Sequence, residues 1–201
     1  MILYLLRHGE TESNAENIHQ SLDTPLSVRG IRQSNEAIHK LKDRDIDIII
    51  TSPLPRAKDT ATILSDTLHI SMIENNDLRE KQNPSIIIGR KKYDTDVLQI
   101  KKEIEKNYHN PNWKHSDEES YFDLHKRVNT VITWITQSSY RNPLIVTHEV
   151  IIKMFTASIL FGPNLNSHLF WDFYSHIHIA NCSLTICRFE NGWKLEMLGS
   201  V

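Results

Sequence analysis

Apolar positions along the chain alternate between short unbroken runs and stretches with helical spacing. Leu3-Tyr4-Leu5-Leu6 is an apolar run of strand length that stops abruptly at Arg7-His8-Gly9 and then turns polar. Ile46 to Thr51 repeats the pattern, closed by Pro53 and Pro55, and a short strand is predicted near Ile70 to Ile73. Pro143 to Thr147 is a further strand and ends in His148. Between these runs the spacing predicts helices. Ser27 reads as the N-cap of one with Ile31, Ser34, Ile38 and Leu41 on a single face. Pro55 starts another, striped by Ala57, Ala61, Leu64 and Leu68, and a third runs from Asp94 to Lys106. Ser116 and Glu119 are spaced as a capping box before a helix carrying Leu124, Val128, Val131 and Ile135. From Asn181 to Leu198 the tail reads as a hairpin with Asn191-Gly192 in the turn.

The first run delivers an arginine and a histidine to a strand's C-terminal end, where open parallel sheets bind ligands. A guanidinium forks a phosphate, Gly9 lets main chain come close, and a neutral imidazole can attack phosphorus. Arg7-His8-Gly9-Glu10-Thr11 with Asn14 resembles the signature of the histidine phosphatase superfamily, branch 1, the phosphoglycerate-mutase-like enzymes. In that family the histidine is transiently phosphorylated. Asp23 to Gln33 resembles a second family phrase, and Thr51 to Ala61 resembles the one bearing the second phosphate-binding arginine, here Arg56. Arg56 is oddly placed for a structural cation, because the macrodipole disfavours positive charge in a helix's first turn; an anion there relieves the conflict. Asp77-Leu78-Arg79-Glu80 resembles the acid-bearing phrase and makes Glu80 the first choice for proton donor, and Pro143 to His148 resembles the second-histidine motif.

Two departures matter. After Glu80, where mutases continue with an aromatic-glycine phrase, the chain reads Lys81-Gln82-Asn83-Pro84-Ser85, and after His148, where glycine is usual, stands Glu149. An ionised carboxylate beside a phosphate dianion is repelled by about 3 kcal/mol for unit charges ~5 Å apart at an effective dielectric of ~20. Glu149 must therefore point away, pair with a cation, or carry a proton. In the acid phosphatase and phytase branch a carboxylate at this position is the general acid, so Glu149 is the alternative to Glu80. The resemblance also implies that residues 81–119 form a cap over the site and select the substrate. Arg90, Lys91 and Lys92 within it could hold a second acidic group, but a solvated charge run is the preferred reading. Trp113 is read as packing the cap on the body.

At 201 residues and 39% hydrophobic content the chain reads as a single domain, 1–201. Lys plus Arg number 23 against 25 Asp plus Glu, which gives no reason to expect nucleic acid or a membrane as partner. Cys182 and Cys187 lie an odd distance apart in an apparent strand, so they should face opposite sides and not pair. With no secretory or spanning segment read in the sequence, the expected location is a reducing cytoplasm. His176 and His178 read as sharing a strand face near His168, but no Cys or carboxylate spacing completes a metal site.

The resemblance covers nearly the whole chain apart from the cap. It implies a three-layer α/β/α sandwich around a mainly parallel sheet, with the site at the strands' C-terminal ends. It also implies a phosphatase that uses neither metal nor cofactor. His8 is the nucleophile, with Arg7, Arg56 and His148 on the phosphate, Asn14 as a neutral donor, and Glu80 as acid and then base. The alternatives are a mutase-type phosphotransferase and a non-catalytic module that binds a phosphorylated ligand. A small phosphorylated substrate is expected, its identity and the oligomeric state left open.

Overall fold

The computed structural model describes residues 1–201. Its elements are β1 (Ile2–Arg7), α1 (Glu12–Ala15), α2 (Val28–Leu41), β2 (Ile48–Thr51), α3 (Pro55–Leu68), β3 (Met72–Glu74), α4 (Thr95–Asn107), α5 (Tyr121–Gln137), β4 (Pro143–Thr147), α6 (Glu149–Phe161), α7 (Ser167–His176), β5 (Leu184–Phe189) and β6 (Trp193–Ser200). The six strands form one sheet in the order β3-β2-β4-β1-β5-β6. β1 to β4 run parallel, and β5 and β6 add an antiparallel hairpin at one edge.

Strand alternation sorts the core into two layers. Leu3, Leu5, Ile48, Ile50, Ile145 and Cys187 pack with α5, α6 and α7 on one face. Tyr4, Leu6, Ile49, Leu144, Val146 and Ile186 pack with α2 and α3 on the other. Burial on both faces is why the strands read as unbroken apolar runs rather than alternating ones. It yields the expected α/β/α sandwich with a mainly parallel sheet. No helix is long and apolar enough to cross a membrane. Cys187 lies in the first layer and Cys182 in the second, both unpaired, although Cys182 sits in a turn before β5 rather than in a strand.

Several local expectations are corrected. α2 buries Gly30, Ser34, Ala37 and Leu41, and Ile31 is 47% exposed. The reason is a backbone contact: a Cβ on Gly30 would lie 2.0 Å from the Glu10 carbonyl oxygen, so the helix is seated on its small residue. The α5 capping box is Ser120 with Asp123. Glu118 instead accepts the Ser116 N–H at 2.7 Å, and Glu119 pairs with Arg127 at 2.6 Å. His176 ends helix α7 and His178 follows it, so the two share no strand face. β2 and β3 each begin two residues later than the apolar runs do.

The connections fix where a site can form. Helix α2, which comes after β1 and the short α1, packs on one face and α6, which follows β4, on the other, while β1 and β4 are neighbours in the sheet. Their outgoing loops diverge and leave a crevice at the strands' C-terminal ends.

Candidate active site

The β1–β4 register sets the centre of that crevice. Arg7 pairs with Thr147, so the next residues, His8 and His148, emerge side by side. The His8 N–H donates to the Thr147 carbonyl at 2.9 Å, and the two rings meet edge-on with centroids 5.1 Å apart. Both are buried.

His8 Nδ1 lies 2.6 Å from the Gly9 carbonyl oxygen. Gly9 is itself pinned, its N–H donating to Thr60 Oγ1 at 3.0 Å while Thr60 donates to the Arg56 carbonyl at 2.8 Å. A Cβ on Gly9 would approach the Gly30 carbonyl oxygen to 2.5 Å, so the glycine is required by helix packing as well as by any ligand. His148 Nε2 lies 2.8 Å from Ser52 Oγ, and its Nδ1 is buried without a partner.

Two buried arginines face these rings. Arg7 bonds the Ile179 carbonyl and the Glu149 carboxylate, the latter at 3.3 Å. Arg56, in the first turn of α3, donates to the carbonyls of Ser21 and Leu22 at 3.2 and 3.4 Å. Each guanidinium keeps a buried Nε with no protein partner. Burial, then the fields of Arg56 and Arg7, hold the His8 pKa well below the usual imidazole value. Burial and Arg56 do the same for His148. Arg56 is drawn down to about 10, mainly by burial. Two cations and two neutral donors at one point make a pocket for an anion.

The two candidate acids are driven apart. Burial raises the Glu80 pKa, opposed by its hydrogen bond from the Lys81 N–H and by Arg56, and assisted by the charge of Glu149. Glu149 is lowered despite burial, because Arg7 and Lys153 hold its carboxylate, Lys153 Nζ at 2.9 Å. Of the three options the sequence leaves for Glu149, the structure takes pairing with cations. The loop carrying Glu80 is tied down by Arg127, which donates to the carbonyls of Asp77 and Arg79 at 2.6 and 2.8 Å.

Asn14 completes the capping box of α1, its Oδ1 accepting from the Thr11 N–H and from Asn181 Nδ2, each at 3.3 Å, and the Asn181 amide also donates to the His8 carbonyl at 2.9 Å. Ser52, Thr60, Arg127 and Asn181 carry no role in the sequence reading. Ser52 and Thr60 lie inside the Arg56 phrase and were within reach of it; Arg127 and Asn181 act through partners distant in sequence. Trp113 is half-buried, and the basic run divides, with Arg90 held by Asp94 and Asp96, Lys91 exposed and Lys92 half-buried.

A switch-point crevice holding paired histidines and arginines defines an enzyme acting on phosphate esters. The chain belongs to the histidine phosphatase superfamily, branch 1, whose family model matches residues 3–200. It is 45% identical over 78 residues to the Bacillus subtilis protein named "Uncharacterized phosphatase PhoE", a match spanning 38% of this chain and 40% of that protein. To the Proteus mirabilis protein named "Probable phosphoglycerate mutase GpmB" it is 26% identical, over 99% of this chain and 93% of the other. A mycobacterial glucosyl-3-phosphoglycerate phosphatase solved with VO3 shares the fold at a TM-score of 0.83 and 23% identity, covering 100% of this chain and 99% of that one. With phosphatases among its relatives, the chain is an enzyme of the histidine phosphatase type.

Proposed function

We propose that this protein hydrolyses small phosphomonoesters through a phosphohistidine on His8, without a metal ion. The observation that carries the reading is the His8 Nδ1 contact with the Gly9 carbonyl at 2.6 Å. A carbonyl only accepts, so Nδ1 holds the proton and Nε2 keeps the lone pair that in-line attack requires. Burial and the two arginines keep that ring neutral. The Arg7 and Arg56 guanidiniums, His148 and Asn14 supply the charge and hydrogen bonds that three equatorial oxygens demand, which is why no metal is invoked.

In the first step the bond from phosphorus to the leaving oxygen breaks as the bond to His8 Nε2 forms. Glu80, favoured in its protonated form by burial, gives its proton to that oxygen. In the second step the Glu80 carboxylate takes a proton from water, which attacks phosphorus and restores the free ring. Glu149 is spent on Arg7 and Lys153 and does not share this role. Residues 81–119 act as the cap, and the unpaired buried thiols of Cys182 and Cys187 suit a reducing cytoplasm. The match to the mutase-named relative across 99% of the chain favours one second reading, a phosphotransferase that returns the phosphate to another hydroxyl.

The test is phosphate release from a panel of small phosphomonoesters in EDTA, together with alkaline-quench trapping of the phosphoenzyme. Release unaffected by EDTA and an alkali-stable, acid-labile phosphoenzyme in the parent, both lost in His8→Ala, are the expected results. Isomerisation with little free phosphate would select the phosphotransferase. A His8→Ala variant that still turns over would remove His8 as nucleophile.

A further inference from the structure

Antiparallel pairing sets Leu184 of β5 opposite Leu6 of β1, so the turn that feeds β5 lies against the strand end where Arg7 and His8 emerge. That turn, residues 179–183, grips both of them. The Ile179 carbonyl accepts from the Arg7 guanidinium, and the Arg7 N–H donates to the Ser183 carbonyl at 3.3 Å. The Cys182 N–H is shared between the carbonyls of Arg7 and His8, at 3.1 and 3.4 Å. The turn is itself closed, because the Ser183 N–H and hydroxyl both donate to the Ala180 carbonyl, at 3.2 and 2.7 Å. At its centre Cys182 adopts a φ of 52°, a left-handed conformation that side chains disfavour, with its thiol buried in the second core layer. Strained backbone persists where surrounding bonds over-determine it, and such places cluster at functional sites. The proposed chemistry nevertheless leaves the side chain of Asn181, next to the strained residue, without a task.

Hydrogen-bond polarity orients two side-chain amides in succession. A carbonyl only accepts, so the Asn181 atom 2.9 Å from the His8 carbonyl is Nδ2. A backbone N–H only donates, so the Asn14 atom 3.3 Å from the Thr11 N–H is Oδ1. The second hydrogen of Asn181 Nδ2 goes to that same oxygen, also at 3.3 Å. Both lone pairs of Asn14 Oδ1 are thereby taken by the protein. Its Nδ2 receives no protein acceptor and is the end left for a ligand. The opposite rotamer would present an oxygen to phosphate, which repels it. An amide already fixed in the donating sense also loses no rotamer freedom when the anion arrives.

We propose that Asn181 is a positioning residue for the phosphate pocket: its carboxamide, anchored on the His8 carbonyl, holds Asn14 so that Nδ2 donates to the phosphate. The inference rests on the proposed reading for Asn14 as a phosphate donor, and it concerns binding rather than the fate of the ester. The His8 carbonyl keeps the Cys182 N–H when Asn181 is removed, so the effect of that removal falls on Asn14.

Calorimetric titration of inorganic phosphate into the parent, Asn14→Ala, Asn181→Ala and the double variant tests this. Each single change should weaken phosphate by about tenfold, the worth of one hydrogen bond to a charged group. The double variant should bind within about twofold of Asn14→Ala, because two residues acting through one contact are not additive. The Asn14 side-chain amide signals in nitrogen-correlated proton spectra, identified by their loss in Asn14→Ala, report the contact directly. They should shift when phosphate saturates the parent and shift far less when it saturates Asn181→Ala. In turnover, KM should rise with kcat held within about threefold, since ground and transition states share this contact. Thermal melts accompany each variant, and Asn181→Leu, close to asparagine in shape, repeats the cycle if the alanine variant does not fold. An unchanged phosphate affinity on removing the Asn181 amide, full additivity in the cycle, or an Asn14 shift that survives overturns the positioning role. Phosphate release from esters is read separately: none from the parent, with the cycle still non-additive, sinks the hydrolase reading and supports the role of Asn181.

Discussion

Glu149→Gln isolates what the carboxylate beside His148 does. Its two cations stand at 3.3 and 2.9 Å, worth about 5 kcal/mol each in gross attraction at an effective dielectric of ~20. Desolvation returns most of that, and removing one partner of a buried pair typically costs about 3–5 kcal/mol. Here the loss is smaller. The Gln oxygen can still accept from Lys153, which keeps the Tyr174 carbonyl at 3.1 Å and lies 4.6 Å from the centre of the Tyr174 ring. About 2 kcal/mol is therefore expected, a fall in Tm of about 4–8 °C for a chain of this length. The pH dependence follows from the depressed pKa of Glu149. Its contribution is complete above the unfolded carboxylate pKa and is lost as pH falls through the folded value. The gap in Tm between parent and variant should thus be widest near neutrality and close in acid. Activity tests the same assignment. The charge of Glu149 helps raise Glu80, so its removal should move the alkaline limb of kcat/KM to lower pH while leaving the maximum within about tenfold. Glu80→Gln should cost about 10²–10⁴ in kcat. An inactive Glu149→Gln beside an active Glu80→Gln would refute the reasoning and transfer the acid role to Glu149.

Gly30→Ala places a Cβ 2.0 Å from the Glu10 carbonyl oxygen; backbone cannot yield as a side chain does, so a loss of about 3 kcal/mol is expected in urea unfolding, and a parental midpoint would contradict it. Thr60→Val leaves the buried Gly9 N–H without its acceptor, which should cost about 1–3 kcal/mol, with Thr60→Ser restoring most of it. Arg127→Met frees the carbonyls of Asp77 and Arg79; kcat should fall about tenfold with KM little changed, and an unaltered kcat would show that the Glu80 loop holds without it. His8 and His148 have lowered folded pKa values, so unfolded chains bind protons that folded ones refuse as pH drops below the ordinary imidazole value. Stability should decline there by up to about 1.4 kcal/mol per pH unit for each ring, and His8→Gln should flatten the slope.

What the sequence revealed of the candidate site was whatever one strand end or one helix turn determines. Arg7, His8 and His148 follow apolar runs directly, and a mainly parallel sheet sends such ends to one side. Arg56 was legible because a buried cation at a helix start is electrostatically anomalous. The sandwich was legible through the family phrases, and its two-sided burial explains the unbroken runs. Other features depend on what arrives from elsewhere in the chain. Ile31 satisfies the helical period yet is exposed, because the Gly30–Glu10 backbone contact, invisible to periodicity, sets the rotation of α2. Ser116 and Glu119 fit a capping box, but Arg127 claims the glutamate. The fate of Glu149 was half legible: Lys153 stands four residues on in a helix, the spacing at which opposite charges meet.

The same division separates the two candidate acids. Glu80 and Glu149 are the same residue type, and neither phrase says which one is protonated. The difference lies in their neighbours. Glu149 begins α6 with a lysine one turn on and the Arg7 guanidinium across the sheet, so its charge is matched. Glu80 sits on a loop where its hydrogen bonds come from the Lys81 and Val150 amides at 2.8 and 3.4 Å, and no cation stands within ion-pair distance. Amides stabilise a carboxylate less than a contacting cation does, and burial then favours the neutral acid. The residue that departs from the family pattern thus supports the one that keeps to it: a fixed negative charge at Glu149 raises the proton affinity of Glu80 and anchors Arg7 at once. Replacing it with glycine, the residue usual in the family, should loosen Arg7 and lower the Glu80 pKa together, whereas separate changes in these two properties would show that they are independent.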